Sequence, residues 1–327
     1  KCWNEKVDER PSFEKVFSKL STDFSYIDEE INSEEVSSYL RQFKEKKEEE
    51  EEKHETYDSI ESYQKDADTG DPEALFNMGV CYTKGQGVEQ NYAKAIECYK
   101  QSADQGNYYA MYNLGVCYDK GQGVEQNYSK ALEFFKKSAE YGNHEAFLTI
   151  AFYYEDGRGV KQNYQTALKY YQKAATFNLA EAYFSIGSYY QAGRGVEQNY
   201  SKSFENYKKA AELNDIRSLF NIGVCYEKGY GVEKDFSKAF EIYKLTADKG
   251  FTNSYCAVAS CYEKGVGVDR NYSKAFEYFQ KAANNGDAGA LLSLGLMYEN
   301  GQGVQRDFKK AFELYQKAAD KGNSNGI

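Results

Sequence analysis

The chain has 327 residues, with 41 Lys and Arg against 51 Asp and Glu for a net charge of -10, and it carries only two prolines and two histidines. The acidic excess is local. Residues 21–70 hold 17 acidic and 6 basic side chains while residues 71–327 hold 30 of each, so the bulk charge supports neither a basic nucleic-acid stripe nor a polyanionic surface.

The chain order begins with residues 1–20, where Cys2-Trp3 is followed by Arg10-Pro11-Ser12-Phe13, with Phe17 and Leu20 continuing at helical spacing. Residues 21–55 form an acidic charged linker, and Val36, Leu40 and Phe43 predict helix from about Ser33 onward. The first residue is Lys, which leads us to expect that an upstream portion has been removed or left out.

Residues 56–70 read as a lone capping helix, a half repeat in register with the later copies: Ile60 aligns with Ile96, Tyr63 with Tyr99, Ala67 with Ala103 and Gly70 with Gly106. Asp66 on this segment suits an end helix with one face to water. From residue 71 to 327 a glycine-x-glycine phrase returns at Gly85, Gly121, Gly157, Gly193, Gly229, Gly265 and Gly301, a constant step of 36 residues. A fixed period of this size marks a solenoid, in which one supersecondary unit cannot bury its apolar face alone and stacks on its neighbours. The expected fold is all-α: seven helix-hairpin repeats, with Gly322-Asn323 opening an eighth.

Within the first copy, Asp71-Pro72 caps a first helix, helix A, whose apolar set is Ala74, Leu75, Met78, Gly79 and Tyr82. Gly85 ends it in the left-handed conformation and Gly87 supplies a second permissive position. Asn91 caps helix B, a slot filled later by Asn127, Asn163, Asn199, Asp235, Asn271 and Asp307. Helix B carries Tyr92, Ala95, Ile96, Tyr99 and Ala103 on one face. The aromatics Tyr82, Tyr118, Tyr154, Tyr190, Tyr226, Tyr262 and Tyr298 are expected to fill the space left by Gly79 and Ala95 and their equivalents. On that placement, a Tyr190→Ala variant melts far lower.

Departures from the pattern carry their own expectations. Asn178 and Asn214 replace the glycine that ends helix B, since Asn also visits the left-handed region. Leu179 and Phe251 stand where Asp or Asn otherwise caps helix A, so these junctions either turn differently or cover an apolar patch. Cys81, Cys117, Cys225 and Cys261 share one repeat position with Tyr153, Tyr189 and Met297, which defines a packing slot for reduced thiols and places the protein in the cytoplasm.

The unit Ala-Leu-x-x-Met-Gly-x-x-Tyr-x-x-Gly-x-Gly-Val, followed by Asn-Tyr-x-x-Ala-x-x-x-Tyr, resembles the Sel-one-like repeat of the tetratricopeptide-like group over residues 56–327. The resemblance implies a right-handed superhelix of helix pairs that docks other proteins and has no catalysis of its own. Residues 1–20 resemble the extreme C-terminal end of a tyrosine-kinase-like catalytic domain, with Val7 where that family usually has proline. This second resemblance implies that Arg10 pairs with a glutamate near the activation segment and that Trp3 packs in the C-lobe. The groups that carry phosphoryl transfer do not lie in this chain, so it is not an enzyme by itself.

The glycine pairs are not a phosphate cradle, because they follow a helix and precede the next by several residues. His54 and His144 stand apart, so neither a metal cluster nor a Ser/His dyad is expected, and no cofactor or membrane partner. The Asn-Tyr-Ser triplets at Asn127, Asn199 and Asn271 match a glycosylation sequon but are explained as helix caps.

Positions equivalent to 73, 77, 80 and 84 lie opposite the packed face of helix A, on the side expected to be concave. Position 77 reads Asn77, Asn113, Thr149, Ser185, Asn221, Ala257 and Ser293, and position 84 reads Lys84, Lys120, Asp156, Ala192, Lys228, Lys264 and Asn300. Short amides and hydroxyls flanked by Lys84, Lys120, Lys228 and Lys264 suit an extended peptide backbone and an acidic side chain or terminus. The expected function is a protein-binding scaffold, tethered to a kinase domain. The alternatives are a rigid spacer or autoinhibitory support acting in cis on that kinase, or part of an inactive pseudokinase adaptor.

Overall fold

A computed structural model describes residues 60–324. The expectations for residues 1–20, including Trp3 and Arg10, for the linker at 21–55 and for residues 56–59 lie outside the described residues. The described residues contain helices and no strand: α1 (Ile60–Asp68), α2 (Pro72–Lys84), α3 (Tyr92–Asp104), α4 (Tyr108–Lys120), α5 (Tyr128–Glu140), α6 (Ala146–Asp156), α7 (Tyr164–Ala175), α8 (Ala180–Ala192), α9 (Tyr200–Glu212), α10 (Ile216–Lys228), α11 (Phe236–Asp248), α12 (Thr252–Lys264), α13 (Tyr272–Asn284), α14 (Ala288–Asn300) and α15 (Phe308–Ser324). The fold is an α-α solenoid: among the described residues α1 is a B-type helix with no helix A before it, and α2 to α15 form seven A/B hairpins. The chain divides into two compact units, one ending at Phe177 and the other beginning at Asn178.

The termini of the helices follow from local chemistry. Asn91 accepts a hydrogen bond from the Lys94 N–H at 3.0 Å, and Asn127, Asn163, Asn199, Asp235, Asn271 and Asp307 repeat that bond in their own copies. Gly85 sits at φ 70° and its N–H bonds the Cys81 carbonyl, closing helix A in the left-handed conformation that a Cβ disfavours. Asn178 and Asn214 adopt φ of 55° and 66°, as expected of Asn in a glycine slot. Leu179 and Phe251 lack a side-chain cap but share the extended backbone of the capped junctions, so the turn itself is unchanged. Phe251 instead packs on Phe220 at a centroid distance of 5.4 Å. The copy that does turn differently is the third, where α6 begins only at Ala146 with no side-chain cap.

Packing corrects one expectation. Tyr82, Tyr118, Tyr154, Tyr190, Tyr226 and Tyr298 are half-buried rather than the fillers of the glycine gap, and only Tyr262 of that series is buried. The gap is filled from helix B: a Cβ placed on Gly79 would meet Tyr99 Cε1 at 2.5 Å, and Gly115, Gly187, Gly223 and Gly295 face Phe135, Tyr207, Tyr243 and Tyr315 in the same way. The reason is direction. A helix-A residue three positions past the glycine lies over the rim of the contact, whereas the helix-B ring comes straight across onto the bare backbone. Lysine ammonium groups cover the rim rings, with Lys94 Nζ 5.3 Å from the Tyr82 centroid and Lys202 Nζ 5.2 Å from that of Tyr190.

The second glycine of the phrase joins copies at Gly123, Gly159, Gly231, Gly267 and Gly303. In the first unit, a Cβ on Gly159 would stand 2.4 Å from the Ser129 backbone nitrogen, and Ser129 Oγ donates to the Gly159 carbonyl at 2.8 Å. In the second, a Cβ on Gly231 would stand 2.2 Å from the Tyr200 carbonyl oxygen, and Gly267 and Gly303 crowd Phe236 and Tyr272 likewise. The loop is therefore pressed against the start of the preceding helix B, where only glycine fits at positive φ. The cysteine slot is a packing slot: Cys117, Cys225, Cys261, Tyr153, Tyr189 and Met297 are all buried. The six described cysteines are free thiols.

At its end, α15 runs through Gly322 and Asn323, the residues expected to open an eighth copy. In earlier copies this turn is followed by a helix A that packs against it, and no described helix follows α15.

Candidate docking face

Five of the seven hairpins are locked by a hydrogen bond between their two helices. Tyr171 Oη donates to Glu155 at 2.8 Å, Tyr207 Oη to Gln191 at 2.8 Å, Tyr243 Oη to Glu227 at 2.8 Å and Tyr315 Oη to Glu299 at 2.6 Å, while Tyr99 Oη shares a bond with Thr83 Oγ1 at 3.0 Å. These locks fix the helix-A residues just before the glycine phrase. The loop is fastened from the other side: Gln90, Gln126, Gln162 and Gln198 each donate to a carbonyl seven residues back. From the fifth copy on, that glutamine is replaced by a cation lying over the next ring, with Lys234 over Phe236 at 5.5 Å and Arg270 over Tyr272 at 5.4 Å.

In the first unit the expected ladder is interrupted. Asn77 and Asn113 are half-buried and Lys84 and Lys120 are exposed, but Thr149, the third member, is tied to Tyr112 Oη at 2.9 Å. Phe135 stands where five of the copies have the locking tyrosine, so it makes no bond to Asp119. Tyr153, from the next copy, donates to Asp119 instead. Arg158 pairs with Asp156 at 3.2 Å and approaches Asp119 at 4.0 Å, and its guanidinium lies 5.0 Å from the half-exposed Phe152 ring. Burial first, and then the bond to Asp119, push the Tyr153 phenol well above its ordinary value, so it stays the donor.

The second unit brings the expected positions into two recesses at successive copy junctions. The first, about 440 Å³, is lined by Ser188, Gln191, Ala192, Tyr200, Tyr207, Asn221 and Tyr230. Asn221 occupies position 77 there, and Tyr200 and Tyr230 stack at 4.1 Å with their planes 4° apart. The second, about 470 Å³, is lined along α12 by Asn253, Ala257, Ser260 and Lys264, the equivalents of positions 73, 77, 80 and 84. Its remaining wall includes Phe220, Phe236, Cys256 and Val266.

Glu227 also lines the second recess and brings two of the expected lysines together: Lys228 Nζ pairs with it at 2.6 Å, and the charge of Lys264 acts on it. Burial acts to raise this carboxyl, but hydrogen bonds from Lys228 and Tyr243 outweigh it and hold it below the usual carboxylate value. Sequence reasoning missed the aromatic wall. Its signal was available: Phe236 replaces the tyrosine found at this position in most copies, and Lys234 replaces glutamine two residues before it.

No group of His, Cys, Asp and Glu able to hold a metal occurs among the described residues. Among them, no helix is long and apolar enough to cross a membrane.

Tandem hairpins with polar and apolar recesses along one helix series define a helical-repeat protein of the kind that binds other proteins. The Sel1 repeat model matches residues 72–107, 109–143, 150–176, 180–215, 216–251, 252–287 and 288–323, and the chain belongs to the Sel1 repeat family. Sel1 repeat proteins are in general protein-interaction scaffolds, and the fold is typically non-catalytic. The third match begins only at residue 150, past the junction where α6 starts late. The chain is similar to c5321, a protective antigen of uropathogenic Escherichia coli strains that displays an SLR fold, with 30% identity and a TM-score of 0.76 over 82% of this chain and 58% of that one. It thus spans a little over half the length of that relative. It is also similar to a Sel1 repeat protein from Oxalobacter formigenes, with 31% identity and a TM-score of 0.66 over 75% of this chain and 96% of that one. No curated protein matches the sequence.

Proposed function

We propose that this chain is a non-catalytic scaffold that docks an extended segment of a partner protein along its helix-A face. One observation carries the reading: both recesses in the second unit are lined by positions equivalent to 77, 80 and 84, the side of helix A turned away from the helix-B contact. Amides and hydroxyls such as Asn221 and Ser260 suit main-chain groups of an extended peptide, and the side-chain recesses beside them supply selectivity. The experiment is a titration of a confirmed partner against Asn221→Ala and Ser260→Ala, with Glu205→Lys on the exposed side of α9 as control. Weakened binding in the first two and not in the control is expected; unaltered affinity in both moves the site off this face.

Tethering to a kinase domain, with the repeats choosing its substrates or partners, is the arrangement that the resemblance of residues 1–20 implies. It rests on that resemblance alone, since the Sel1 repeat match begins at residue 72. Comparing activity of the tethered kinase with and without residues 56–327, and with and without the docked partner, separates recruitment from support in cis.

A further inference from the structure

The recess beside α12 differs from its neighbour in chemistry. Its walls are apolar, from Phe220, Phe236, Cys256 and Val266, and Phe236 is 42% exposed where the aromatic core residues are nearly closed to water. Its rim is cationic. Lys264 is exposed and makes no hydrogen bond or ion pair among the described residues, and Lys234 lies over the Phe236 ring. The carboxylate in the recess, Glu227, is already engaged by Tyr243 Oη at 2.8 Å and by Lys228 Nζ at 2.6 Å. An apolar cavity with two lysines at its rim, and a single carboxylate already held by Tyr243 and Lys228, disfavours a basic ligand and leaves a wholly apolar one with nothing to answer Lys264.

We propose that this recess recognises a partner segment carrying a bulky apolar side chain immediately beside an Asp or Glu, the apolar group entering between Phe220, Phe236 and Val266 and the carboxylate pairing with Lys264. The proposal rests on the docking reading above and names the chemistry of the docked segment. Exclusion of water from the apolar group supplies affinity, while Lys264 supplies the selection of charge and the register of the segment. The polar recess at Asn221, one copy earlier, continues the same face and takes the main chain beside the anchor. The position of Lys264 holds Lys also in the first, second and fifth copies, Lys228 of the fifth being paired with Glu227, but Asp156, Ala192 and Asn300 in the third, fourth and seventh.

The test is selection of a random heptapeptide library on the full chain, followed by titration of labelled synthetic peptides made from the enriched sequences. The expected consensus is Leu, Ile, Phe or Met next to Asp or Glu. Replacing the apolar residue by Ser weakens binding by about tenfold or more, and replacing the acid by Lys weakens it by about three- to tenfold. Lys264→Glu, an exposed change whose folding is checked by circular dichroism, reverses the charge preference, and Ala257→Trp, which fills the recess, removes binding. Peptides whose affinity responds to Asn221→Ala but not to Lys264→Glu or Ala257→Trp overturn this inference and leave the docking face standing. Peptides indifferent to all three changes, or no enrichment at all, overturn both.

Discussion

Tyr153 donates its phenolic proton to Asp119 across the boundary between the second and third copies, taking the acceptor that Phe135 cannot use. In most other copies the residue at this place bonds a tyrosine of its own hairpin, as Glu155 does with Tyr171. A lock within a hairpin has become a lock between hairpins. Tyr153→Phe keeps the ring packing on Phe135 at 5.3 Å and removes only the charge-assisted bond. We expect a loss of about 1.5–3 kcal/mol in chemical denaturation. Adding Phe135→Tyr to that variant restores part of it, because Asp119 regains a donor in its own hairpin.

The helix-B rings and the helix-A rings differ in weight. Tyr243 is 1% exposed and abuts Gly223, so Tyr243→Ala costs about 3–5 kcal/mol. Tyr190, half-buried at the rim beneath Lys202, costs well under half of that. Melting temperatures of the two variants in one buffer rank them, and equal losses contradict the packing described.

Gly267→Ala tests the backbone contact between copies. The added Cβ meets the Phe236 carbonyl oxygen and is strained at φ 72°, so neither neighbour relieves it by rotating a side chain. We expect a loss above the roughly 1–3 kcal/mol of ordinary overpacking, and a larger one than for Gly250→Ala, which has the same sign of φ but open space around it.

Alkaline stability follows from buried phenols. Burial pushes Tyr207 up to about 12, against about 10 for an unfolded tyrosine. Below pH about 10 both states keep the proton and stability is level. Above it the unfolded chain ionises first, so stability falls as pH rises towards 12, by about 2–3 kcal/mol for this group. Denaturation midpoints measured from pH 8 to 11.5 reveal the fall, and Tyr207→Phe makes it shallower.

The uncapped junctions offer a gain. Leu179 has φ -76° and ψ 114°, close to the -75° and 106° of Asp215, which caps its helix. Leu179→Asp supplies the missing acceptor to α8 without moving the backbone and adds about 1 kcal/mol, read as a rise in melting temperature. A drop instead shows that the Leu179 side chain, not the turn, matters there.

Much of this molecule was legible because repetition multiplies weak local signals. A single Asn before a helix is ambiguous, but the seven residues from Asn91 to Asp307 in one register identify caps, and the glycines at 85 and its equivalents identify left-handed helix ends. Contacts between helices were less legible. Periodicity places Tyr82 and Tyr99 both towards the partner helix, and only the actual approach of the two axes makes Tyr99 the ring over Gly79. The bonds from Tyr171 to Glu155 and from Tyr207 to Gln191 span 16 residues in a fixed register, so they were present as a pattern, yet nothing local to either residue announces the other. For the docking face, helical phase located positions 77, 80 and 84, but the apolar wall beside Lys264 comes from three helices and the loop after the third, an assembly that appears only when the copies stack.

The contact of Gly231 with the Tyr200 carbonyl and of Gly303 with that of Tyr272 is made by main chain against main chain. Such a joint is indifferent to which letters decorate the exterior, so the hairpins that make it share one backbone mortise. Ligand preference is then free to diversify brick by brick, by exchanging the few outward residues, while the masonry stays the same.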